Sequence, residues 1–179
     1  MNKWKRINTK AVWESKWLSL WEDDFELPDG KISQGYYRIE RSNIVVIFAL
    51  NESNELIVEK QYRRGIDEVI YELPAGEFND GESVEEAAER EFLEETGYSI
   101  RVLKVQEFYP LPAYIGQKAF IVFCKYTKDK KDLNREEDEF IETTEMKLED
   151  IEEMVKRNEI KDASMLLGLY FYDILKPYE

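Results

Sequence analysis

Between Gly76 and Tyr98 the chain reads GEFNDGESVEEAAEREFLEETGY, and its charge pattern limits what the rest can be. The spacing predicts a turn and then a helix. Ser83 stands as an N-cap, and Glu86 three residues later completes a capping box. Gly97 supplies the C-terminal stop. Val84, Ala88 and Phe92 recur every four residues and form an apolar stripe for packing. Glu91, Glu94 and Glu95 stand at i, i+3 and i+4, so they project from a shared, different face. Three carboxylates crowded there repel one another unless something positive sits among them. A hard divalent cation bound through oxygen answers that need, and magnesium is the first choice. Arg90, one turn before Glu94, can hold that carboxylate in place. In a chain this rich in glutamate an acidic helix can equally be a solvated face, so the glutamates alone leave both readings open.

What the chain lacks narrows the chemistry. With no histidine, Ser-His and Cys-His catalysis, histidine phosphotransfer and imidazole zinc sites are all excluded. Carboxylates, arginines, lysines and tyrosines must carry any reaction. The balance of 25 basic against 39 acidic residues, net −14, repels nucleic acid and anionic membranes. A phosphate-bearing substrate would therefore need local basic groups or metal. Cys124 is the single cysteine, which excludes an intramolecular disulfide and fits a reducing interior. MNKWKRINTK has no apolar signal region and no later run reaches membrane-spanning length. These features predict a soluble cytoplasmic protein without nucleic-acid or membrane partners.

Residues 1–40 read as β structure, with PDGK as a turn between aromatic-rich strands. They hold all four tryptophans, Trp4, Trp13, Trp17 and Trp21. A sheet that small is barely stable alone, so it should pack on the main body or on a second subunit. NIVVIFAL from Asn43 is a continuous apolar run, as a strand covered on both faces would show. ELIVEKQYR returns as the second strand of a hairpin, and VIYELPAGE leads into the Gly76 stretch. SIRVLKVQEFY and QKAFIVFCKYT read as strands flanking the loop PLPAYIG. KDKKDLNREED is a charged loop, EFIETTEMK a strand and LEDIEEMVKRNEI a helix. DASMLLGLYFYDIL, capped by Asp162, is apolar nearly all round and predicts a buried final helix.

The stretch Gly76–Tyr98 resembles the Nudix box, a glycine, a glutamate six residues on, then R-E-apolar-x-E-E-x-G-apolar. Gly76, Glu82, Arg90, Glu91, Phe92, Glu94, Glu95, Gly97 and Tyr98 fill all nine positions. Multiplying residue frequencies puts chance agreement below roughly one in ten million per starting position. The resemblance implies an α/β fold, a Nudix-type α/β/α sandwich with a mixed sheet over residues 41–179, preceded by the small antiparallel β appendage of residues 1–40. It implies hydrolysis of a nucleoside diphosphate linked to another moiety, with Mg2+, or Mn2+ in its place, on the box helix. Glu91, Glu94 and Glu95 would hold metal, and Glu95 and Arg90 would belong to the catalytic centre.

Outside the box, Gln61-Tyr62-Arg63 and Glu72-Leu73-Pro74-Ala75-Gly76 resemble the ADP-ribose pyrophosphatase and nucleotide-sugar branch. That likeness gives Arg63 the diphosphate, Glu72 the nucleobase and the Ala75 carbonyl a metal, with Arg41 as a second diphosphate candidate. A guanidinium matches phosphate oxygens bidentately, and a carboxylate accepts from an exocyclic amine. Pro112 lies fifteen residues after Gly97, as in the branch. The usual P-S-P-G there reads Pro110-Leu111-Pro112-Ala113, and Gln117 stands where a glutamate is usual, so a broader nucleotide-sugar preference or another base fits equally well. In the enzymes the chain resembles, a glutamate shortly before the penultimate strand activates the attacking water and a second can ligate metal. Among Glu136, Glu137, Asp138 and Glu139, counting back from EFIETTEMK and the later I-K-D-A maps these roles onto Glu137 and Glu139. In the enzymes the chain resembles, the appendage exchanges between two subunits, which implies a homodimer. The resemblance leaves two rivals, hydrolysis of nucleoside polyphosphates or dinucleotides, and a non-catalytic ADP-ribose-sensing module.

Overall fold

The computed structural model describes residues 2–128 and 140–178. By its contacts the chain parts into two compact units, one running up to Asn43 with Tyr109–Lys118 added, the other Ile44–Phe108 with the chain from Ala119 on.

The first unit is a meander of β1 (Lys5–Glu14), β2 (Ser19–Glu26) and β3 (Ile32–Glu40), antiparallel throughout. The PDGK turn forms as expected, with Gly30 at φ 83°, a left-handed backbone that costs a glycine nothing. At the centre of β2 Asp23 is buried and accepts from Arg38 Nε at 2.8 Å and Thr9 Oγ1 at 2.6 Å. Burial pulls its carboxyl upward, but these two bonds together with the positive charges of Arg38 and Arg6 outweigh burial and hold it below its ordinary range. A buried acid thus locks the register of a sheet with almost no apolar core. Trp4, Trp13, Trp17, Tyr36 and Tyr37 stay exposed, as a three-stranded sheet of this size dictates.

The second unit contains β4 (Ile44–Leu50), β5 (Glu55–Arg63), β6 (Glu68–Glu72), β7 (Ala75–Glu77), β8 (Ser99–Phe108), β9 (Ala119–Thr127) and β10 (Ile141–Lys147). Its sheet runs β10-β5-β4-β9-β8, with β6 paired to β5 and β7 to β4. Among the described residues only β4 and β9 are parallel neighbours, so the sheet is mixed. Three helices cover it, α1 (Val84–Thr96), α2 (Leu148–Lys156) and α3 (Ala163–Leu175). The continuous apolar run of β4 now has its reason. Val46, Phe48 and Leu50 pack with Ile151 of α2 and Met165 of α3, while Val45, Ile47 and Ala49 pack with Ala87, Ala88 and Phe92 of α1. Each Val, Leu, Ile, Phe or Met side chain among them contributes about 1.5–3 kcal/mol by leaving water. The expected α/β/α sandwich with a mixed sheet, and a small antiparallel sheet before it, is what the chain adopts.

One expectation needs correction. The final helix is not buried all round; Leu166, Tyr170 and Ile174, at i, i+4 and i+8, are exposed. Met165 and Gly168 face the core, and among the described residues of this unit no further layer covers the outer row. Among the described residues no helix is long and apolar enough to cross a membrane.

Candidate active site

The box helix is built by local chemistry. Ser83 accepts from the Glu86 amide, and the Glu86 carboxylate accepts from the Ser83 amide at 2.8 Å, closing the capping box. Gly97 ends α1 in the left-handed conformation at φ 75°, its amide donating to the Leu93 carbonyl. Ala88 and Phe92 bury against the sheet with Val84 beside them, as the stripe requires. Ala87 joins them, although the four-residue spacing passed over it.

Arg90 ties the turn to the helix. Its Nε and Nη2 donate to the two carboxylate oxygens of Glu82 at 2.7 and 2.8 Å, and Nη2 also donates to the Glu77 carbonyl at 2.9 Å. Nη1 reaches Glu91 at 2.7 Å and Glu94 at 3.3 Å. The expected hold on Glu94 is there, but the grips on Glu82 and Glu91 are shorter. The Arg90 bonds pull the Glu82 carboxyl from 4.5 to about 2. A carboxyl lowered on folding stabilises the fold above its unfolded value and loses that contribution as pH falls towards the folded one. Glu82→Gln is therefore expected to cost about 1 kcal/mol near neutrality, allowing for partial exposure. In denaturant titrations the gap between the two proteins should close between pH 4.5 and about 2; a gap constant with pH would show that the pairing does not carry it.

Gly76 explains the glycine at the head of the box. A β-carbon there would land on the Glu91 carboxylate, so the backbone of β7 passes directly against that side chain. Glu95 is buried at 6% exposure, while Glu91 and Glu94 are partly exposed. Among the described residues no three acidic side chains converge at metal-ligand distance. The donor set nevertheless fits a hard divalent cation, because it is all oxygen and Gly76 leaves room for a carboxylate pressed against backbone. Arg90 is shared among three carboxylates and cannot neutralise them all. Ala75 precedes Gly76 in β7.

On β5 and β6 the structure brings two candidates together. Arg63 donates from Nε and Nη2 to both carboxylate oxygens of Glu72, each at 2.7 Å. Glu72 is nearly buried, whereas the Arg63 side chain keeps 47% of its surface exposed. Burial pushes the Glu72 carboxyl above its ordinary range, more than Arg63 pulls it down. The residue expected to read a nucleobase is thus engaged by the residue expected to read the diphosphate.

The remaining candidates stand apart in the chain. Arg41 is in the first unit and lines a hollow of about 470 Å³ with Lys16, Trp17, Glu40, Ser42 and Gly116. There Lys16 Nζ lies 4.0 Å from the centre of the Trp17 ring. Pro112 is exposed in the 109–118 loop of the same unit. Gln117 is buried and donates to the Ser42 carbonyl at 2.5 Å, a structural use. Glu136, Glu137, Asp138 and Glu139 lie outside the described residues. Sequence reasoning missed Glu59, a buried acid on β5. The signal was available, since its phase puts it on the face of Ile57, which packs on α1.

The model of the NUDIX domain family matches residues 40–167, well over half the chain. An ADP-ribose pyrophosphatase of Bacillus subtilis is 30% identical over 95% of this chain and 92% of its own. A methanol dehydrogenase activator of Bacillus methanolicus is 26% identical over the same shares. A crystal structure of an ADP compounds hydrolase superposes with a TM-score of 0.80 over 98% of this chain and 95% of its own, at 22% identity.

Proposed function

This chain belongs to the Nudix family, and on that premise we propose that it is a metal-dependent pyrophosphatase. Its substrate is ADP-ribose or a related nucleoside diphosphate sugar, and its products are a nucleoside monophosphate and a sugar phosphate. One observation carries the reading: Arg90 joins Glu82, Glu91 and Glu94 into a built site where Gly76 leaves room for Glu91. The near full-length likeness to an ADP-ribose pyrophosphatase supports the substrate class.

In this reading Arg63, anchored on Glu72 through Nε and Nη2, turns its exposed edge to the diphosphate and fixes it for attack. Arg41 is a second cation for the same group. Glu137 is our first choice to take the proton of the attacking water. The new bond joins the water oxygen to one phosphorus, and the bond that breaks joins that phosphorus to the bridging oxygen. Glu91, Glu94 and Glu95, the Ala75 carbonyl and Glu139 would hold Mg2+, or Mn2+ in its place, which when bound neutralises charge on the diphosphate. Arg90 keeps Glu91 and Glu94 in place beside Glu95 in the catalytic centre, and Pro112 shapes the sugar end of the pocket. We further propose a homodimer formed through residues 1–40, whose exposed aromatics support it, and a cytoplasmic location, in keeping with the single buried thiol.

A panel of nucleotide sugars, nucleoside polyphosphates and dinucleotides tests this, with magnesium, manganese or chelator. For the sugars, a coupled phosphatase releases phosphate only from cleaved products. Metal-dependent release from ADP-ribose or a close relative is the expected result. Turnover of polyphosphates or dinucleotides alone would move the enzyme to another substrate class. Tight binding of ADP-ribose with no turnover would make it a sensing module.

A further inference from the structure

Asp162 caps α3, its Oδ1 accepting from the Met165 amide at 2.6 Å. Asparagine or serine would cap as well, so the cap alone does not account for the charge. Packing decides where that charge sits. Gly168 lets α3 close on the sheet, for a β-carbon there would stand 3.2 Å from Leu73 and from Phe48. Leu73 follows Glu72 directly and packs in one cluster with Ile160 and Met165, which flank Asp162 in the chain. Lys161, next to Asp162, donates from Nζ to Glu68, and Glu68 stands opposite Arg63 in the β5–β6 ladder. The start of α3 is thus clasped to the strands that carry the Arg63–Glu72 bond. Lys161 is engaged by Glu68 and Arg63 by Glu72, so neither cation is spent on Asp162.

The charge is felt at that bond. Burial raises the Glu72 carboxyl, and Asp162 adds to the rise against the pull of Arg63. Burial weakens the hold of Arg63 on its proton, while Glu72, Asp162 and Glu95 together strengthen it by more. One guanidinium therefore faces carboxylates from β6, from the cap of α3 and from α1. A diphosphate arriving at the exposed edge of Arg63 meets an excess of negative charge. The N-terminus of α3 would by itself draw an anion, and the Asp162 carboxylate opposes that as well.

We propose that Asp162 is a specificity-determining residue. Its carboxylate, set beside the Arg63–Glu72 pair by the docking of α3, repels a bare diphosphate, so that Arg63 accepts one whose charge a divalent cation offsets. The proposal rests on the reading above for the diphosphate at Arg63 and for the cation at Glu91, Glu94 and Glu95. Asp162 acts through space and holds neither of them.

The test measures binding by calorimetry with the full chain and an ADP-ribose analogue carrying a methylene group in place of the bridging oxygen, which cannot be cleaved there. Asp162→Asn keeps the cap and removes the charge, so its melting temperature should match that of the parent. In chelator at low salt it should bind the analogue about threefold to tenfold more tightly, as expected for one charge removed at a separation of about 10 Å. With magnesium the gain should fall to about twofold or less, and near 1 M salt it should vanish, since exposed charges are then screened. Asp162→Ala should show the same gain at a lower melting temperature, which separates charge from cap. Glu52→Gln, which removes an acid from the turn before the far end of β5, should show no gain and so exclude an effect of net charge. Unchanged or weaker binding of Asp162→Asn in chelator, or an equal gain with magnesium or at high salt, would overturn the proposal. If the parent binds no analogue even with magnesium, the functional reading fails separately. Pyrophosphate, with and without magnesium, then replaces the analogue as probe, and the Glu72 carboxyl, followed by 13C resonance, should titrate lower in Asp162→Asn; an unmoved titration would overturn the proposal without any ligand.

Discussion

Glu95→Gln is expected to lower kcat by on the order of 10²–10³-fold, with Glu91→Gln close behind, while both proteins remain folded. The reasoning starts from crowding. Glu91, Glu94 and Glu95 share one helix end with Arg90, and Glu95 is the most deeply buried of the three. A carboxylate kept out of water at that cost gains when a cation joins it. In chelator the glutamine variant should therefore melt no lower than the parent, and by relief of repulsion somewhat higher. Added magnesium should raise the melting temperature of the parent by mass action and raise that of the variants much less. The second measurement separates a lost cation from a damaged fold without relying on turnover. Near-normal kcat in both variants at saturating magnesium would reduce the box to a solvated acidic helix.

Much of this site could be read from the chain because local chemistry determines it. Ser83, Glu86 and Gly97 settle where α1 starts and stops within a few residues of themselves. Arg90 meets Glu94 because four residues on a helix bring any such pair together. The run from Ile44 to Leu50 announces a strand covered on both faces, because it is β-branched and aromatic, too short for a typical helix and closed by the NESN turn. What stayed hidden depends on pairing between distant segments. Gln117 and Ser42 are 75 residues apart, and no period in the sequence joins them. The Arg63–Glu72 bond follows from the way two side chains lean across β5 and β6, which motif matching treats as two independent contacts with substrate. Glu59 was overlooked because a single charge between an apolar run and a polar strand end resembles the beginning of the solvated part. The final helix failed differently. Its composition is apolar on every side, yet burial depends on how many layers stand against it, and Tyr170 and Ile174 stay exposed among the described residues of their unit.

Deleting residues 1–40 is expected to abolish most activity, by about 100-fold or more if the segment helps to hold substrate. The box would be left untouched. The argument is one of surface. Trp4, Ile7, Val12, Trp13, Trp17, Ile32, Tyr36 and Tyr37 are all large, apolar and exposed within this short segment. Monomers seldom carry a contiguous apolar patch beyond a few hundred Å². An aromatic side chain buries about 150–250 Å² in all, and these are already about half covered, so it takes the whole set together to approach the roughly 800 Å² per subunit of a stable interface. A second copy of the same chain is the occupant we propose, joined by two-fold symmetry. The hollow of Arg41, Lys16 and Trp17 combines cations with an aromatic face, a chemistry suited to a nucleotide. Light scattering should give twice the chain mass for the intact protein and a poorly soluble or monomeric product after the deletion. Trp17→Ala, which leaves the interface largely in place, should raise KM for ADP-ribose more than it changes the mass. A clean, fully active monomer at micromolar concentration would mean that the aromatics serve their own chain, and the dimer would have to be abandoned.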